Sequence, residues 1–550
     1  MTSPNLYRRC FWLLLAVAVI WFGNIEYRKL IKPDEGRYAE IAREMVVNGD
    51  WVTPRLNDLK YFEKPPLQYW ATATAYEVFG FHQWTARLWP ALTGFAGVLL
   101  IWFVGARLFG NTAGLYAAML LGGTQFYVLM AHINTLDMGV TFFLTLGISG
   151  LLLAQRQGIA ARTRRNWMWL AWAALALAVL SKGLIGLVLP GAALFLYSVM
   201  QRDVGVWKRM SWGGGLLLFL LVAGPWFYLV MQANPEFFQK FIVYEHFTRF
   251  FTKELHRYQP WYYFVPVLLF GMMPWTFLML DTVLRTWKDS PNVAKAFNPA
   301  RYLLIWSVFV YVFFTISGSK LPSYILPIFP ALALLMGKQL VEMTPRRLFW
   351  LLTPAALLAL VVLGILPFIE RFANNNPVRE QAYSAYAWWL AAAALLWLIG
   401  SCAALLLLRR SRKMAAVLTL ALSSLVAAQL AASGYNTIAG ERSAYAIAEV
   451  IRPYLKPGIP LYSVRMYEQT LPFYLQRTVT LVDFQDELGF GIQQQLDRWV
   501  PDLPSLAKIW QTQPEALAIM ELPSYPLLQQ LGMDMKILYQ DNQYIIVGKP

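Results

Sequence analysis

Residues 136–154 read LDMGVTFFLTLGISGLLLA, an almost uncharged run that decides the class of fold. As a helix, these 19 residues are long enough to cross the hydrocarbon core of a lipid bilayer. About thirteen comparable runs follow one another along the chain, and we predict a membrane-spanning helix in each. They cover residues 10–30, 86–106, 112–131, 136–154, 167–181, 183–200, 211–232, 260–281, 302–317, 322–341, 348–368, 384–408 and 414–432. The sequence therefore predicts a polytopic α-helical membrane protein.

The overall composition supports this class. Of the 550 residues, 58% are hydrophobic and only 14% are charged, whereas a soluble protein normally carries about a quarter charged residues. This composition argues against a soluble enzyme and makes a polytopic membrane protein the default prediction. The two cysteines, Cys10 and Cys402, both lie in apolar runs, so the sequence offers neither a disulfide framework nor a Cys-x-x-Cys metal site.

The formal charge of +16 is distributed unevenly between the two sides of the predicted membrane. Loops on the side of the N-terminus carry 21 basic and 4 acidic residues, and all other residues together have a net charge of about −1. Because basic loops stay in the cytoplasm, we expect a cytoplasmic N-terminus. The C-terminal tail then lies outside, and no nucleic-acid partner is needed to explain the basicity.

Residues 433–550 differ from the rest of the chain. Short β-rich runs at Pro460–Val464, Thr478–Val482, Ala516–Met520, Lys536–Leu538 and Tyr544–Val547 alternate with helical stretches such as Glu441–Leu455. We therefore predict a transmembrane domain over 1–432, with an amphipathic periplasmic loop at 31–85, and a small periplasmic α/β domain over 433–550. Nothing in this second domain forms a recognisable catalytic motif.

The loop after the first span is unusually rich in charge, with sixteen charged residues between positions 24 and 64. Within it, residues 33–45 (PDEGRYAEIAREM) have the pattern of a helix that starts at Pro33 and ends at Asn48-Gly49. We predict that this helix lies on the membrane surface with its apolar face down. The alternative is a solvated amphipathic connector, although a connector would not need acids fixed beside the membrane.

A second candidate motif is the run YFEKPP at residues 61–66. The proline pair keeps the preceding residue extended, so the side chains of Glu63 and Lys64 should point apart. One interpretation is a local ion pair at the end of a loop. The other is functional, with Lys64 facing the phosphate of an anionic lipid and Glu63 facing a cation or metal.

Further polar residues recur at the outer ends of the predicted spans. Taken one at a time, each is more typical of interfacial anchoring than of function. Their shared side, and the near absence of ionisable groups in the middle of the membrane, favour an enzyme at the outer surface over a transporter. These residues are Asp137, Lys182, His246, Arg249, Lys320 and Tyr324.

These motifs resemble those of the GT-C membrane glycosyltransferases, which use polyprenyl-phosphate sugar donors. Within that class the sequence is most similar to the family that transfers 4-amino-4-deoxy-L-arabinose from undecaprenyl phosphate to lipid A. The similarity covers roughly residues 8–435 and implies a GT-C fold with about 13 transmembrane helices and a small α/β C-terminal periplasmic domain. The runs that carry it are PDEGRYAE at 33–40, YFEKPP at 61–66, Leu136-Asp137, Ser181-Lys-Gly183 and KLPSYILP at 320–327.

The resemblance also implies roles for individual residues. Asp34 is the candidate catalytic or donor-orienting carboxylate, and Asp137 would support the sugar or the acceptor. The donor phosphate would be held by Lys64, Arg249 and Tyr324. Further candidates for substrate binding are Lys182, Lys320, Glu35 and Arg37.

A divalent metal, zinc or magnesium, is compatible with the same resemblance. Glu63 would help to bind it, and His246 is the better placed of two external histidines, with His256 as the other. Neither the identity of this metal nor a need for it follows from the sequence.

The implied acceptor, a phosphate of lipid A, is already anionic and needs no general base. We therefore expect direct displacement with inversion. The resemblance also implies that the reaction takes place at the periplasmic face of the bacterial inner membrane. We expect a monomeric enzyme, and the family implies that it contributes to polymyxin resistance. Two alternatives remain open at this point. One is a related transferase acting on a protein or core-oligosaccharide hydroxyl, which would need a base, and the other is a lipid transporter.

Overall fold

The computed structural model of the chain describes residues 4–248, 259–288, 297–373 and 376–550, and the side chains of the first range from 12 to 245. The chain forms two compact units. The membrane unit comprises Met1–Arg28 and Arg87–Thr437, and the loop–sheet unit comprises Lys29–Ala86 and Ile438–Pro550. This division places the loop at 31–85 with the C-terminal residues, whereas the sequence-based proposal joined it to residues 1–432.

The described chain is mainly α-helical. Its α-helices in chain order are α1 (Pro4–Phe22), α2 (Asp34–Asn48), α3 (Leu67–Phe79), α4 (Gln83–Phe109), α5 (Asn111–Gly122), α6 (Gln125–Met130), α7 (Leu136–Ala154), α8 (Ala161–Lys182), α9 (Ile185–Gln201), α10 (Gly205–Lys208), α11 (Trp212–Ala233), α12 (Phe264–Gly271), α13 (Thr276–Lys288), α14 (Pro299–Ile316), α15 (Ile328–Glu342), α16 (Pro345–Ile365), α17 (Pro377–Arg409), α18 (Lys413–Gly434), α19 (Tyr445–Ile451), α20 (Leu471–Leu475), α21 (Gly489–Gln494), α22 (Leu503–Thr512) and α23 (Ser524–Gln530). A π-helix spans Phe238–Thr248, and longer 3₁₀ turns span Pro322–Ile325 and Leu366–Ala373.

Seven helices in the described part of the chain are long and apolar enough to cross a membrane, or eight if the bent pair α12–α13 is one span. The predicted class is confirmed, but the predicted count of thirteen is not. Several predicted spans are shorter or broken in the structure. The run at 112–131 is divided after Gly122 into α5 and α6, and the run at 260–281 bends by 109° between α12 and α13.

Small residues allow close helix packing in the membrane unit. A Cβ added at Gly337 of α15 would lie 2.6 Å from the carbonyl oxygen of Ala113 in α5. A Cβ added at Gly105 of α4 would lie 2.7 Å from the Cα atom of Gly114. Such approaches of backbone to backbone are the usual means by which transmembrane helices gain van der Waals contact, since lipid tails are as apolar as the side chains.

The loop–sheet unit contains a six-stranded mixed sheet in the order β5-β4-β3-β6-β8-β7. Strands β3 to β6 run parallel to one another, and β8 pairs antiparallel with both β6 and β7. All five predicted strands are present, so the α/β prediction is confirmed, while the two-residue strand β5 was missed. The strands are β3 (Leu461–Val464), β4 (Thr480–Val482), β5 (Trp499–Val500), β6 (Leu517–Glu521), β7 (Lys536–Gln540) and β8 (Tyr544–Gly548), after a small hairpin of β1 (Arg55–Leu56) and β2 (Leu59–Lys60).

Helix α2 begins and ends where the sequence predicts. Asp34 and Glu35 lie in its first turn, where their charges complement the helix dipole. Gly49 follows the last residue with φ of +69° and donates its N–H to the Met45 carbonyl, which is a typical glycine stop.

Helix α2 is covered on its polar face as well as on its apolar face, which an isolated helix on a membrane surface would not show, and its position at the membrane stays a prediction. Every residue from Glu35 to Met45 is buried, including the charged Glu40, Arg43 and Glu44. Helix α3, strand β1 and helix α20 of the same unit pack against α2. The amphipathic pattern was real, but the polar face is covered by protein because each of its charges finds a partner there.

Candidate functional site

One arginine bridges two carboxylates in the loop–sheet unit. Arg37 Nη1 donates to Asp34 Oδ1 at 3.0 Å, and Arg37 Nη2 donates to Glu487 Oε2. The other oxygen of Glu487 accepts from Gln469 Nε2 at 2.9 Å. The Arg37 and Glu487 side chains are largely buried, whereas that of Asp34 is 37% exposed. Asp34 is therefore a fixed carboxylate that still has an open side.

Three buried tyrosines surround this arrangement. Burial, and next to it the charge of Asp34, raises the pKa of Tyr38 well above its usual range. Burial together with the charge of Glu63 does the same for the pKa of Tyr61 and of Tyr69. All three phenols therefore stay neutral, and the buried hydroxyls of Tyr61 and Tyr69 have no hydrogen-bond partner within the described residues.

The YFEKPP run lies in the same unit, directly before α3. Lys64 Nζ donates to the carbonyl oxygen of Glu63 at 2.9 Å, and both side chains are partly exposed. The Glu63 carboxylate is close enough to raise the pKa of three tyrosines, so it faces the same region as Asp34.

Glu35 has a local structural contact. Its side chain is almost fully buried, and its Oε2 accepts from the backbone N–H of Ile31 at 3.2 Å, just before the helix begins. It thus holds the entry to α2, while Asp34 beside it stays open.

A second group of predicted residues meets in the membrane unit. Lys182, the last residue of α8, forms an ion pair with Asp137 in the first turn of α7. The Lys182 ammonium also lies 4.7 Å from the ring centre of Tyr324, which itself packs on Phe314 at 5.1 Å. Three residues that are distant in sequence therefore form one cluster at helix ends.

Lys320 lies four residues before Tyr324 and is buried. Its Nζ donates to the carbonyl oxygen of Gln259 at 3.0 Å. This contact fixes the loop between α14 and the 3₁₀ turn at Pro322–Ile325.

Three predicted residues cannot be placed, and one of them, His256, lies wholly outside the described residues. The side chain of His246 and all of Arg249 lie outside the described residues, so their phosphate and metal roles stay predictions. Among the described side chains no group of three or more His, Cys, Asp or Glu is arranged to hold a metal ion. Glu63 alone does not make a metal site, and we assign no step to a metal.

Sequence reasoning missed Glu487 and Gln469. Both lie in the C-terminal residues, which carry no recognisable motif, and the acidic pair Asp486-Glu487 has the same local pattern as a solvated turn. Their link to Arg37 spans about 450 residues of sequence, so no local spacing could have revealed it.

Family models match two segments of the chain. One, described as the aminoarabinose transferase C-terminal domain, matches residues 447–549. The other, described as dolichyl-phosphate-mannose-protein mannosyltransferase, matches residues 63–228.

Curated relatives share the name undecaprenyl phosphate-alpha-4-amino-4-deoxy-L-arabinose arabinosyl transferase. A protein of that name from Pseudomonas fluorescens Pf-5 is 32% identical over 338 residues, which cover 60% of this chain and 56% of the relative. One from Erwinia tasmaniensis is 32% identical, with 59% and 58% covered. A third, from Pseudomonas fluorescens Pf0-1, is 30% identical with 70% and 68% covered. The aligned region thus spans little more than half the length of the first two relatives.

Solved structures match over nearly the whole chain. ArnT from Cupriavidus metallidurans bound to undecaprenyl phosphate has 36% identity and a TM-score of 0.93, with 99% of this chain and 98% of that chain covered. The apo form of the same protein gives a TM-score of 0.92. The archaeal oligosaccharyltransferase AglB from Archaeoglobus fulgidus, at 12% identity and a TM-score of 0.53, shares the fold.

Proposed function

Because this chain belongs to the undecaprenyl phosphate–aminoarabinose arabinosyl transferase family of GT-C glycosyltransferases, we propose that it transfers 4-amino-4-deoxy-L-arabinose from undecaprenyl phosphate to a phosphate of lipid A. The observation that carries the proposal is Asp34. It is a carboxylate oriented by a buried arginine and still open on one side, close to buried neutral phenols. Support for the donor comes from the solved relative that is bound to undecaprenyl phosphate.

The chemistry is a direct displacement at the anomeric carbon. An oxygen of the acceptor phosphate forms the new bond to C1 as the bond from C1 to the donor phosphate oxygen breaks, and undecaprenyl phosphate leaves with the electron pair. The attacking phosphate is anionic at neutral pH, so no base has to remove a proton. Asp34 then binds the ammonium of the sugar and stabilises the positive charge that develops on the ring.

Both reacting phosphates are negative and would repel each other without cations. Lys64, which is partly exposed and fixed beside Glu63, is our candidate for the donor phosphate in the loop–sheet unit. Arg249 is proposed for the same role on the resemblance alone. A charge-assisted contact of this kind contributes about 1.5–3 kcal/mol.

In the membrane unit we assign Asp137 to the sugar or the acceptor. Lys182 is already neutralised by Asp137, so it acts as an orienting partner of that carboxylate rather than as a free phosphate-binding cation. The ring of Tyr324 beside the ammonium limits how Lys182 can move.

The location and orientation are part of the proposal. We place the protein in the bacterial inner membrane as a multi-pass monomer, with the N-terminus in the cytoplasm. The transfer site and the C-terminal residues then lie on the periplasmic face. The excess of basic residues on the N-terminal side of the spans supports this orientation.

The experiment that tests the function uses the full-length protein in proteoliposomes with donor lipid and lipid A. Mass spectrometry should show lipid A heavier by one aminoarabinose, and Asp34→Asn should reduce the rate strongly. Asp497→Asn, a change of the same kind at a well-exposed residue of the same unit, should leave the rate unchanged. A fully active Asp34→Asn would remove Asp34 from the site, and movement of donor lipid without modified lipid A would favour a transporter.

A hydroxyl acceptor is the second candidate, because residues 63–228 match the protein mannosyltransferase model. A hydroxyl must lose a proton, so that reaction would need a carboxylate base and its rate would fall at acid pH. Transfer to a hydroxyl acceptor in place of lipid A would therefore select this function. Retention at the anomeric carbon would rule out single displacement in either case.

A further inference from the structure

The C-terminal residues contribute a side chain to the surroundings of Asp34. We propose that Glu487 is a positioning residue for transfer, which acts on Asp34 through the guanidinium of Arg37. The proposal rests on the proposed function, in which Asp34 binds the sugar. It gives the C-terminal residues a part in the reaction that no motif of theirs indicates.

A chain of side-chain contacts links Glu487 to Asp34. Arg37 donates one nitrogen to Asp34 and another to Glu487, so its planar guanidinium is held at two points. Glu487 is in turn fixed by Gln469, which donates to its second oxygen at 2.9 Å. A chain of three contacts therefore runs from the C-terminal residues to the carboxylate of Asp34.

The backbone supports the same chain. A Cβ added at Gly36 would lie 2.6 Å from the carbonyl oxygen of Gln469. The first turn of α2 therefore packs directly against the backbone of Gln469, the residue whose side chain binds Glu487. The Arg37 guanidinium also lies 6.0 Å from the ring centre of Tyr61. With its position set on several sides, Arg37 can orient Asp34 with little freedom.

The charge of Glu487 also affects Asp34. Arg37 carries one positive charge between two carboxylates, so with both carboxylates ionised the group of Asp34, Arg37 and Glu487 has a net charge of −1. Without Glu487 the arginine would pair with Asp34 alone and neutralise it. Glu487 thus leaves Asp34 with net negative charge for an ammonium or a developing positive charge, and the open side of Asp34 is where that charge would be met.

Burial opposes the ionisation of Glu487, and its polar partners offset this cost. Burial raises the pKa of the Glu487 carboxyl above its ordinary value, and the charge of Arg37 acts against that rise. An ionised carboxylate is costly to bury unless it is paired, so a Glu at this position needs its partners.

The test measures kcat and KM for Glu487→Gln in the full-length protein, per molecule able to bind undecaprenyl phosphate. We expect kcat to fall roughly tenfold, with little change in the KM of the donor lipid. The matched control is Glu515→Gln, at an exposed ion pair of the same unit, which should behave as the wild type. In an Asp34→Asn background, assayed over long incubations, Glu487→Gln should have no further effect.

The outcomes separate this inference from the function on which it rests. If Asp34→Asn is inactive while Glu487→Gln matches the wild type, the inference fails and the function stands. If the loss in Glu487→Gln disappears when rates are expressed per lipid-binding molecule, or is equal in both backgrounds, Glu487 is only structural. A fully active Asp34→Asn would overturn the assigned role of Asp34 and this inference together.

Discussion

At the scale of single residues, an almost fully buried ion pair lies inside α2. Arg43 donates its Nε and Nη2 to the two oxygens of Glu40 at 2.7 and 2.6 Å, and Glu40 has no exposed surface. Burying such a pair costs desolvation free energy, but removing one partner lowers the stability more, because it leaves a buried charge without compensation.

Arg43→Ala should therefore destabilise the loop–sheet unit by about 3–5 kcal/mol. Arg452→Ala is the matched control, because Arg452 and Glu449 form a pair with the same spacing but with both side chains about half exposed. It should cost about 0–1 kcal/mol. Pulse proteolysis in urea, detected through a C-terminal tag, measures both. Equal costs would show that Glu40 finds another partner.

A second prediction concerns pH. Burial lowers the pKa of Lys32. The negative charge of Glu468 and the hydrogen bonds that Lys32 donates to Glu468 and Tyr544 outweigh this effect, so the pKa of Lys32 is raised above its ordinary value of 10.5. A raised lysine pKa stabilises the fold at all pH values below the ordinary one, and the contribution is lost as the pH rises through the folded value. Burial also raises the pKa of Tyr544 to about 12, so its ionisation adds a loss in the same direction.

Lys32→Met should therefore be less stable than the wild type by a constant amount between about pH 7 and 9, and the difference should shrink above about pH 10.5. The same proteolysis experiment in a pH series measures it. Lys456→Met, at an exposed pair, should show a small difference at every pH. A difference that grew with pH would contradict the assigned partner.

The sequence singled out candidate site residues where charge and position were unusual together, and the structure brings Asp137, Lys182 and Tyr324 into contact, while the roles of all these residues stay predictions. Asp34, Asp137, Lys182 and Tyr324 stood out because acids, bases and aromatic rings at the ends of apolar spans need a reason. The link from Arg37 to Glu487 could not be found, because it depends on a contact between distant segments.

At the scale of elements, α2 and the strands could be predicted and the span count could not. Local signals set the limits of α2: Pro33 and two acids at one end, and Gly49 at the other. The break after Gly122 and the bend between α12 and α13 depend on packing with neighbouring helices, which an apolar run does not encode.

Gly36 offers a test at this scale. An alanine there would place its Cβ 2.6 Å from Gln469 O and 2.7 Å from Thr470 Cγ2, so α2 would have to shift. Gly36→Ala should cost about 1–3 kcal/mol in the stability of the loop–sheet unit and should reduce transfer. Gly440→Ala, where a Cβ meets nothing within 4 Å, is the control and should be close to neutral. Normal stability and rate for Gly36→Ala would show that the first turn of α2 tolerates movement.

At the scale of the whole molecule, the uneven distribution of the net charge of +16 among the loops predicts how the chain is oriented in the membrane. A phosphatase reporter, active only outside the cytoplasm, should be inactive when inserted in the basic segment 409–413 and active when fused to the C-terminus. The opposite pattern would reverse the proposed topology, and with it the face on which transfer takes place.

The loop–sheet unit also has a consequence for biosynthesis, because it is built from Lys29–Ala86 and Ile438–Pro550, with the membrane helices between them in sequence. At a usual translation rate the ribosome needs roughly 20–70 s to make the intervening residues. During that time α2 is already complete, yet Glu487, which meets Arg37, has not been synthesised. In the nascent chain Arg37 therefore lacks its partner Glu487 until the last hundred or so residues have been made, so synthesis of the C-terminal residues is the step that completes the loop–sheet unit.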